Sequence, residues 1–418
     1  MKKYSFWWEN SAPDFALQPQ LPLHADVVIV GAGFAGISAA YWLARLTKKH
    51  RKPYRIVVLD EAPHAGFKST GRMTGNVYLG SNRSASTIVD ELGEDKAKKL
   101  YTYSSRNNQL LHSIISKMTC HAEFNGGFRM ASTVKEAVKL ENSVDVLQDW
   151  GFHPVFFDHE QSQHVMVAPL IKSSMFIPDE GMIDPFEFVN DMARLLRRHN
   201  VWIVYGARVK ETKTSGEYGP QLHLENGHMM SAGKIIHTTT NTVPWGRMEE
   251  AVVRKREHGI RTLPLSEDLD DMPLPLMPIE LNNGQDSARI YDRSIVMVGG
   301  KSGLRKGDPE LDVTNDSSCN QRIVDYLDTT MMRNFPFSNH TEVSHSWSYI
   351  ETGAKDGLPF IGVLPGMPGH YVSAAYGRNK FGLAFMAGKN IAERVLKIKV
   401  TDKEFSIFAP KRLTRGEN

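Results

Sequence analysis

The chain has 418 residues, of which 41% are hydrophobic, and its 50 Lys and Arg against 47 Asp and Glu give a net charge of +3. This length allows two to four domains at roughly 100–200 residues each, and the apolar content excludes a disordered chain. The small, dispersed charge gives no basis for nucleic-acid binding. Two cysteines are too few for a disulfide framework, and no apolar run reaches the roughly 18–20 residues of a membrane-spanning helix. These features predict a soluble, cytoplasmic globular protein without membrane insertion.

The first predicted elements form a strand–helix–strand unit. Residues 25–30 are a short β-branched run that ends on glycine, residues 36–46 are small and apolar at helical spacing, and residues 55–59 form a second buried strand. Such a unit requires a right-handed crossover, so these strands are expected in a parallel sheet.

The later elements predict that two domains are interwoven. Residues 89–150 are polar, charged and helix-prone, which indicates a segment inserted into the first domain. Asp184 and Pro185 predict the start of a helix. Short strands are then expected at 202–209, 221–226, 234–240, 289–300 and 370–374, before a final helix at about 382–396.

A glycine-rich turn joins the first strand to the first helix. Three glycines in G-x-G-x-x-G spacing and two apolar residues make up this turn: Gly31, Gly33, Phe34, Ala35 and Gly36. The first glycine permits the tight turn, the second lets a pyrophosphate approach the backbone, and the third lets helix and strand pack closely. Asp60 ends the second strand and is the expected acceptor for ribose hydroxyls, with Glu61 as the alternative. The pattern predicts a dinucleotide and leaves FAD and NAD open; the alternative is a turn without a ligand.

Two further segments carry groups that suit a flavin ring. The loop after the second strand combines glycines with polar side chains, and its expected contacts are Thr70, Gly71, Arg72, Met73 and Thr74, with Arg72 facing phosphate or the oxygen edge of the ring. The segment before the last helix directs a helix N-terminus at the sheet crevice. There Arg378 and Lys380 are the candidate catalytic residues, because their charge stabilises a reduced flavin. The contacts expected beside them are Gly377, Asn379, Phe381, Gly382 and Leu383. The alternative for the loop after the second strand is a flexible loop without a ligand, and the alternative for the segment before the last helix is a solvated basic turn.

A second glycine-rich segment, 298–303, is interpreted as a strand end and turn. A P-loop that ends at Lys301-Ser302 needs glycine at position 295, where the chain has Ile295. The segment also lacks the third glycine of a second dinucleotide turn, which argues against an enzyme that holds both FAD and NAD(P)H. The 16 histidines are scattered without metal-ligand spacing, so no metal site is expected.

Together these segments resemble the FAD-dependent D-amino-acid oxidase superfamily, which includes glycine and sarcosine oxidases, and they look closest to its gamma-glutamylputrescine oxidase-like amine oxidases. The similarity runs in order through most of the chain: Trp8 with Ala12-Pro13, ADVVIVGAGFAG, VVLDE, STGRMTGNV, GMIDPFEFV, GARV, KIIHTTTNTVP, Trp347 with DGLPFIG, and YGRNKFGLAFMAG. The resemblance implies a contact from Val209 on the adenine side.

The resemblance also implies an α/β fold. A Rossmann-like FAD-binding domain of the glutathione-reductase type, at 1–88, 165–245 and 340–418, would be interleaved with an α+β substrate domain. That substrate (cap) domain, at 89–164 and 246–339, would be built on a mostly antiparallel sheet.

Several positions depart from the family pattern. Asn379 and Lys380 replace small residues over the flavin, and Met73 and Thr74 replace Asn-Gly. Where sarcosine oxidases tether the flavin through a cysteine, this chain has Ser346-Trp347, so FAD is expected to be non-covalent. The segment 351–355 lacks the arginine that clamps the substrate carboxylate in D-amino-acid oxidases. An α-amino-acid substrate is therefore not expected, unless Lys355 or a residue of the cap domain replaces that arginine.

The implied reaction is oxidation of the C–N bond of an amine or amino acid. Hydride passes from the substrate α-carbon to flavin N5, the imine is hydrolysed, and oxygen accepts the electrons to give hydrogen peroxide. The alternatives are a dehydrogenase of the same fold with a quinone or protein acceptor, and a flavoprotein whose FAD is structural. A further alternative, modification of an amine on RNA, rests only on the pI of 8.6. The substrate, the acceptor and the oligomeric state stay open.

Overall fold

The computed structural model describes residues 1–14, 20–51, 53–165, 168–214, 219–239, 246–266, 277–300, 308–400 and 402–413. Within them the helices are α1 (Trp7–Asn10), α2 (Phe34–Lys49), α3 (Ala85–Leu92), α4 (Glu94–Ile115), α5 (Val134–Asp149), α6 (His159–Val165), α7 (Pro185–Arg198), α8 (Gln321–Asn334) and α9 (Ala384–Val395).

The strands in the same ranges are β1 (His24–Val30), β2 (Ile56–Leu59), β3 (Asn76–Val77), β4 (Ala122–Glu123), β5 (Gly127–Ala131), β6 (Val155–Phe157), β7 (Ser173–Ile177), β8 (Gly181–Ile183), β9 (Trp202–Val204), β10 (Val209–Lys213), β11 (Gln221–Leu224), β12 (Met229–His237), β13 (Val252–Thr262), β14 (Ile279–Leu281), β15 (Asp286–Tyr291), β16 (Ser294–Gly299), β17 (Val343–Ala354), β18 (Phe360–Val363) and β19 (His370–Ala374).

The first sheet confirms the predicted parallel core. Its strands β9, β2, β1, β12 and β19 run parallel in that order, while β18 pairs antiparallel with β19 and the β10–β11 hairpin continues from β12. Val30 lies opposite Leu59 on one side and His237 on the other. The carboxyl ends of these strands therefore meet at one edge, where open α/β sheets bind their ligands.

Both faces of β1 are covered, which explains its uninterrupted apolar sequence. Val27 and Ile29 pack into the same core as α2 and α9, whereas Val28 and Val30 pack into a second core with the strands β10 and β11. Alternate residues of a strand point to opposite faces, so two cores require apolar side chains at every position.

The second sheet confirms the prediction of a mostly antiparallel sheet beside the parallel one. Its order is β17-β13-β16-β15-β14-β5-β7-β6, and every pairing is antiparallel except that of β14 with β5. The short strands β3, β8 and β4 form a third sheet. The run 289–300, predicted as one strand, forms the hairpin of β15 and β16, because Asp292 and Arg293 adopt positive φ at its turn.

Three elements lie on the other side of the predicted domain boundaries: β7, β17 and α4. The boundaries assigned 165–245 and 340–418 to the FAD-binding domain, but β7 and β17 within them pair into the second sheet. Helix α4 differs in the other direction, because it packs against α9 although 89–164 was assigned to the cap. Its Tyr103 hydroxyl donates to Asn390 at 2.8 Å, and Asn107 Nδ2 donates to the Phe381 carbonyl at 2.8 Å. Apolar periodicity shows that a strand is buried but not which sheet buries it.

Candidate active site

A cleft lies at the carboxyl edge of the parallel strands. Its walls come from the ends of β1, β2 and β19, the start of α2, the loop 66–70, the residues 207–209 that lead into β10, and the strand β17 of the second sheet. Segments far apart in the sequence thus converge on one groove at the position expected for a nucleotide.

The glycine-rich turn forms the floor of this cleft. Gly31 has φ +113°, a left-handed conformation, and a Cβ there would lie 2.7 Å from Thr238 Oγ1. A Cβ on Gly36 would lie 1.9 Å from the Gly31 carbonyl oxygen. The first turn of α2 therefore touches the end of β1, and Gly31, Gly33, Phe34 and Ala35 line the cleft, while Gly36 acts through packing.

Asp60 lies at the end of β2, in the cleft. Its Oδ1 accepts the Ala62 N–H at 2.8 Å, and its Oδ2 accepts the Ala32 N–H of the glycine turn. Burial raises the pKa of Asp60 to about 6, although both N–H groups act in the opposite direction. Each carboxylate oxygen has a second lone pair that can accept a hydroxyl proton. Glu61 also lines the cleft, but it pairs with Arg208 at 3.1 Å and Lys68 at 3.8 Å.

The loop after β2 divides into lining and supporting residues. Thr70 lines the cleft, and its Oγ1 accepts the Phe34 N–H at 3.1 Å, which fixes the loop to the start of α2. Met73 and Val209, the first residue of β10, also line the cleft. Gly71 and Thr74 serve as supports: their carbonyl oxygens accept bonds from Ser5 Oγ at 2.7 Å and Arg289 Nη1 at 2.8 Å.

Arg72 does not line the cleft. Its guanidinium pairs with Asp316 at 2.9 Å and donates to the Ser348 carbonyl at 2.8 Å. The structure therefore uses this charge to hold the loop against the second sheet.

Lys380 is the basic residue of the last segment that the structure places in the cleft. Its Nζ donates to Ser69 Oγ at 2.7 Å, so the side chain joins the segment before α9 to the loop after β2. Burial lowers the pKa of Lys380 to about 8, while Glu351 acts in the opposite direction. Gly377 lines the cleft beside it.

The remaining predicted residues of this segment face elsewhere. Asn379 Nδ2 donates to the Gly80 carbonyl, and Phe381 packs edge-on against Phe34 with ring centroids 4.7 Å apart. Asn379 and Leu383 line a neighbouring cavity, and a Cβ on Gly382 would meet Asn379 Oδ1 at 2.2 Å. Their contribution is to pack this segment against its surroundings.

Arg378 is held in a buried charge cluster. Its Nη2 lies 2.8 Å from Glu257 and its Nε lies 3.6 Å from Glu351, and Lys255 pairs with both carboxylates. In the register of β13 and β17, Lys255 lies directly opposite Glu351. Burial alone would raise the pKa of Glu257, but Arg378 and Lys255 outweigh it and lower the pKa.

A second cavity of about 580 Å³ adjoins the cleft. Glu351, Ala375, Tyr376 and Gly377 line both spaces and form the boundary between them. Glu351 is buried, and its Oε2 accepts no hydrogen bond from the described residues. Glu351 therefore brings a carboxylate to the place where the two spaces join, with Arg378 Nε 3.6 Å from its Oε2.

Comparison with known proteins identifies the family. The model of the family DAO, FAD dependent oxidoreductase, matches residues 26–394. The chain belongs to this family.

The DAO-family chain also has individual relatives. It is 22% identical over 420 residues to the probable oxidoreductase OrdL of Haemophilus influenzae, covering 97% of this chain and 90% of the relative. It is 27% identical over 127 residues to gamma-glutamylputrescine oxidoreductase of Escherichia coli, covering 30% and 28% of the two chains. Its fold matches a crystal structure of glycine oxidase from Geobacillus kaustophilus with a TM-score of 0.72, at 17% identity, covering 95% of this chain and 100% of that one.

The cleft fits the cofactor of this FAD-dependent family. Gly31 and Gly36 leave no room for a side chain, so the backbone of the turn stays open to a phosphate group. Asp60 brings a buried carboxylate with spare acceptor capacity to the same groove. Both features match what a dinucleotide requires.

Sequence reasoning missed the residues that the second sheet contributes. Tyr349 and Glu351 of β17 line the cleft, and so does Thr238 just beyond β12. Thr238, which follows β12 of the first sheet, lies within the strand predicted at 234–240, so the sequence carried a usable signal for it. Glu351 stood in the segment 351–355 considered for a carboxylate clamp, yet its charge is opposite to that of a clamp.

Two further observations concern the described ranges alone. In them, no group of three or more His, Cys, Asp or Glu side chains is arranged to hold a metal ion. None of the helices there combines the length and apolarity needed to cross a membrane. Residues 301–303, part of the second glycine-rich segment, lie outside the described residues; Gly299 ends β16, as its interpretation as a strand end predicts.

Proposed function

We propose that this FAD-dependent oxidoreductase oxidises the C–N bond of an amine or amino acid, with oxygen as the electron acceptor. The observation that carries the proposal is the boundary shared by the two spaces, where Glu351 joins a dinucleotide cleft to a separate cavity. When bound, FAD supplies the acceptor for the hydride of the substrate α-carbon. The protein supplies binding, orientation and charge.

The cofactor would be held by the glycine turn, the carboxylate of Asp60, the loop residue Thr70 and Val209 at the start of β10. Backbone N–H groups at the start of α2 and the positive end of its dipole favour a pyrophosphate. Asp60 would accept ribose hydroxyls. Because Thr70 fixes its loop to Phe34, the phosphate-binding turn and the loop are positioned together.

Glu351 is the residue we assign to the substrate amine. Its Oε2 accepts no hydrogen bond from the described residues, although Arg378 Nε lies 3.6 Å away, and this oxygen would accept an N–H bond from a substrate at the boundary of the two spaces. Lys255 Nζ lies 3.2 Å from the other oxygen, Oε1, and so holds the carboxylate in place. An oriented amine presents its α-carbon to the cleft, which is the geometry that hydride transfer needs.

Lys380 is the candidate catalytic residue in the cleft. Its buried ammonium favours negative charge on a group bound beside it, because a cation acts more strongly in a water-poor site. Arg378 is a positioning residue, since its charge is used to hold Glu257 and Glu351.

FAD is proposed to be bound without a covalent bond. The described residues that line the cleft include no cysteine and no histidine, the side chains that would tether a flavin. Acid precipitation of the yellow protein should leave all flavin in the supernatant. Colour in the pellet would contradict this assignment.

The reaction is tested by an aerobic panel of amines and amino acids with peroxide detection. We expect peroxide from at least one amine, and Glu351→Gln should raise KM for it because a neutral amide binds a cationic amine less well. Lys99→Gln, which removes an exposed charge paired with Asp95, is the control. Flavin reduction without peroxide would favour the dehydrogenase alternative, and no reduction by any amine would refute the proposal.

A further inference from the structure

The second cavity carries a surplus of positive charge. Its basic lining residues are Arg83, Lys139, Lys255, Lys355 and Arg378, against the acidic Glu91, Glu351 and Asp356. A surplus of cations in a confined space favours an anionic ligand and disfavours a polycation.

Each acidic lining residue already has a basic partner. Glu351 is paired with Lys255 and Arg378. Asp356 is bound by Arg412, with N–O distances of 2.7 Å and 3.0 Å, and Glu91 is bound by Arg83 at 2.6 Å. These pairs leave two cations, Lys139 and Lys355, to consider.

Lys139 and Lys355 have no carboxylate of the described residues within 4 Å. The Nζ of Lys139 donates to Thr87 Oγ1 at 3.1 Å, and the side chain of Lys355 is exposed. Arg83 lines the same cavity, and its Nη2 would lie 3.5 Å from a Cβ on Gly357. Lys139 and Lys355 therefore line the second cavity and not the cofactor cleft.

We propose that the second cavity binds a carboxylate through Lys139 and Lys355. This inference rests on the proposed function. The substrate is then an amine whose carboxylate is remote from the oxidised C–N bond. Glu351 meets the amine at the boundary with the cleft, and the two lysines meet the carboxylate elsewhere in the cavity. An α-amino acid carries both groups on one carbon, so it can contact Glu351 or the two lysines but not both.

The binding test uses glutarate, a dicarboxylate without an amine, on the FAD-loaded protein by titration calorimetry. An exposed ion pair contributes about 1 kcal/mol or less, so Lys139→Gln with Lys355→Gln should weaken glutarate binding about 5- to 25-fold. The double lysine-to-arginine variant should keep the binding, and Lys99→Gln is the control for loss of a distant charge. Unchanged glutarate binding in the double glutamine variant, or no binding by the wild type, overturns the proposal.

A substrate comparison tests the same inference during turnover. 5-Aminopentanoate should have a lower KM than pentylamine, and the double glutamine variant should remove the difference. Equal KM values in the wild type would overturn the proposal. The two proposals can fail separately, because glutarate binding requires no oxidation. A protein that oxidises no amine would refute the proposed function, and the glutarate titration would still test the carboxylate site.

Discussion

Gly36→Ala tests how the glycine turn presents its backbone to the cofactor. The added Cβ would lie 1.9 Å from the Gly31 carbonyl oxygen, whereas ordinary contact begins at 3.4 Å. The start of α2 and the end of β1 must therefore separate by about 1.5 Å. The obstructing atom belongs to the backbone, so no rotamer change relieves the contact.

The cost of this overlap is that of overpacking, about 1–3 kcal/mol. FAD binding needs the turn and the start of α2 in their native relative position. We therefore expect the overlap to raise the free energy of the FAD-bound state. At 1.4 kcal/mol per tenfold, FAD affinity should then fall about 5- to 150-fold.

The assay is a fluorescence titration of apoprotein with FAD. Gly353→Ala is the matched control, because its Cβ would meet nothing closer than the Gly377 Cα at 3.9 Å. Wild-type affinity in Gly36→Ala, or an equal loss in both variants, would refute the reasoning.

Three further predictions follow from single contacts. Burial lowers the pKa of Lys380 to about 8, so its ammonium is lost as pH rises through 8. Amine-driven flavin reduction in stopped flow should slow there in the wild type but not in Lys380→Met. Thr70→Val removes the acceptor of the Phe34 N–H and should weaken FAD binding about fivefold, whereas Thr70→Ser should not, as fluorescence titration can measure. Glu180→Gln leaves the buried Arg129 without its carboxylate partner and should cost about 3–5 kcal/mol of unfolding free energy in urea denaturation.

Each of these has a contradicting result. A pH profile shared by the wild type and Lys380→Met would remove the lysine from the reaction. Equal FAD affinity in Thr70→Val and Thr70→Ser would show that the hydroxyl is not what matters. A loss below about 1 kcal/mol in Glu180→Gln would mean that Arg129 finds another partner or water.

The cofactor cleft could be predicted because its determinants are local. Gly31, Gly36 and Asp60 belong to one strand–helix–strand unit, in which spacing alone fixes which groups meet at the sheet edge. The turn, the helix and both strands were therefore located to within a few residues.

The substrate side could not be predicted in the same way. Arg378 and Lys380 are two residues apart and carry the same charge, yet only Lys380 enters the cleft. Arg378 is drawn away by Glu257 and Glu351, which reach it through the pairing of β13 with β17. Strand register across so long a sequence separation leaves no local signal, and the same holds for Arg72, whose partner is Asp316.

The central claim is that a flavin in the cleft takes electrons from an amine that enters through the second cavity. Anaerobic mixing of the FAD-loaded protein with the amine panel measures this directly. The account predicts that an amine bleaches the visible flavin band, and that Glu351→Gln slows the bleaching at a fixed subsaturating amine concentration. The account would be contradicted if dithionite bleaches the flavin but no amine or amino acid does.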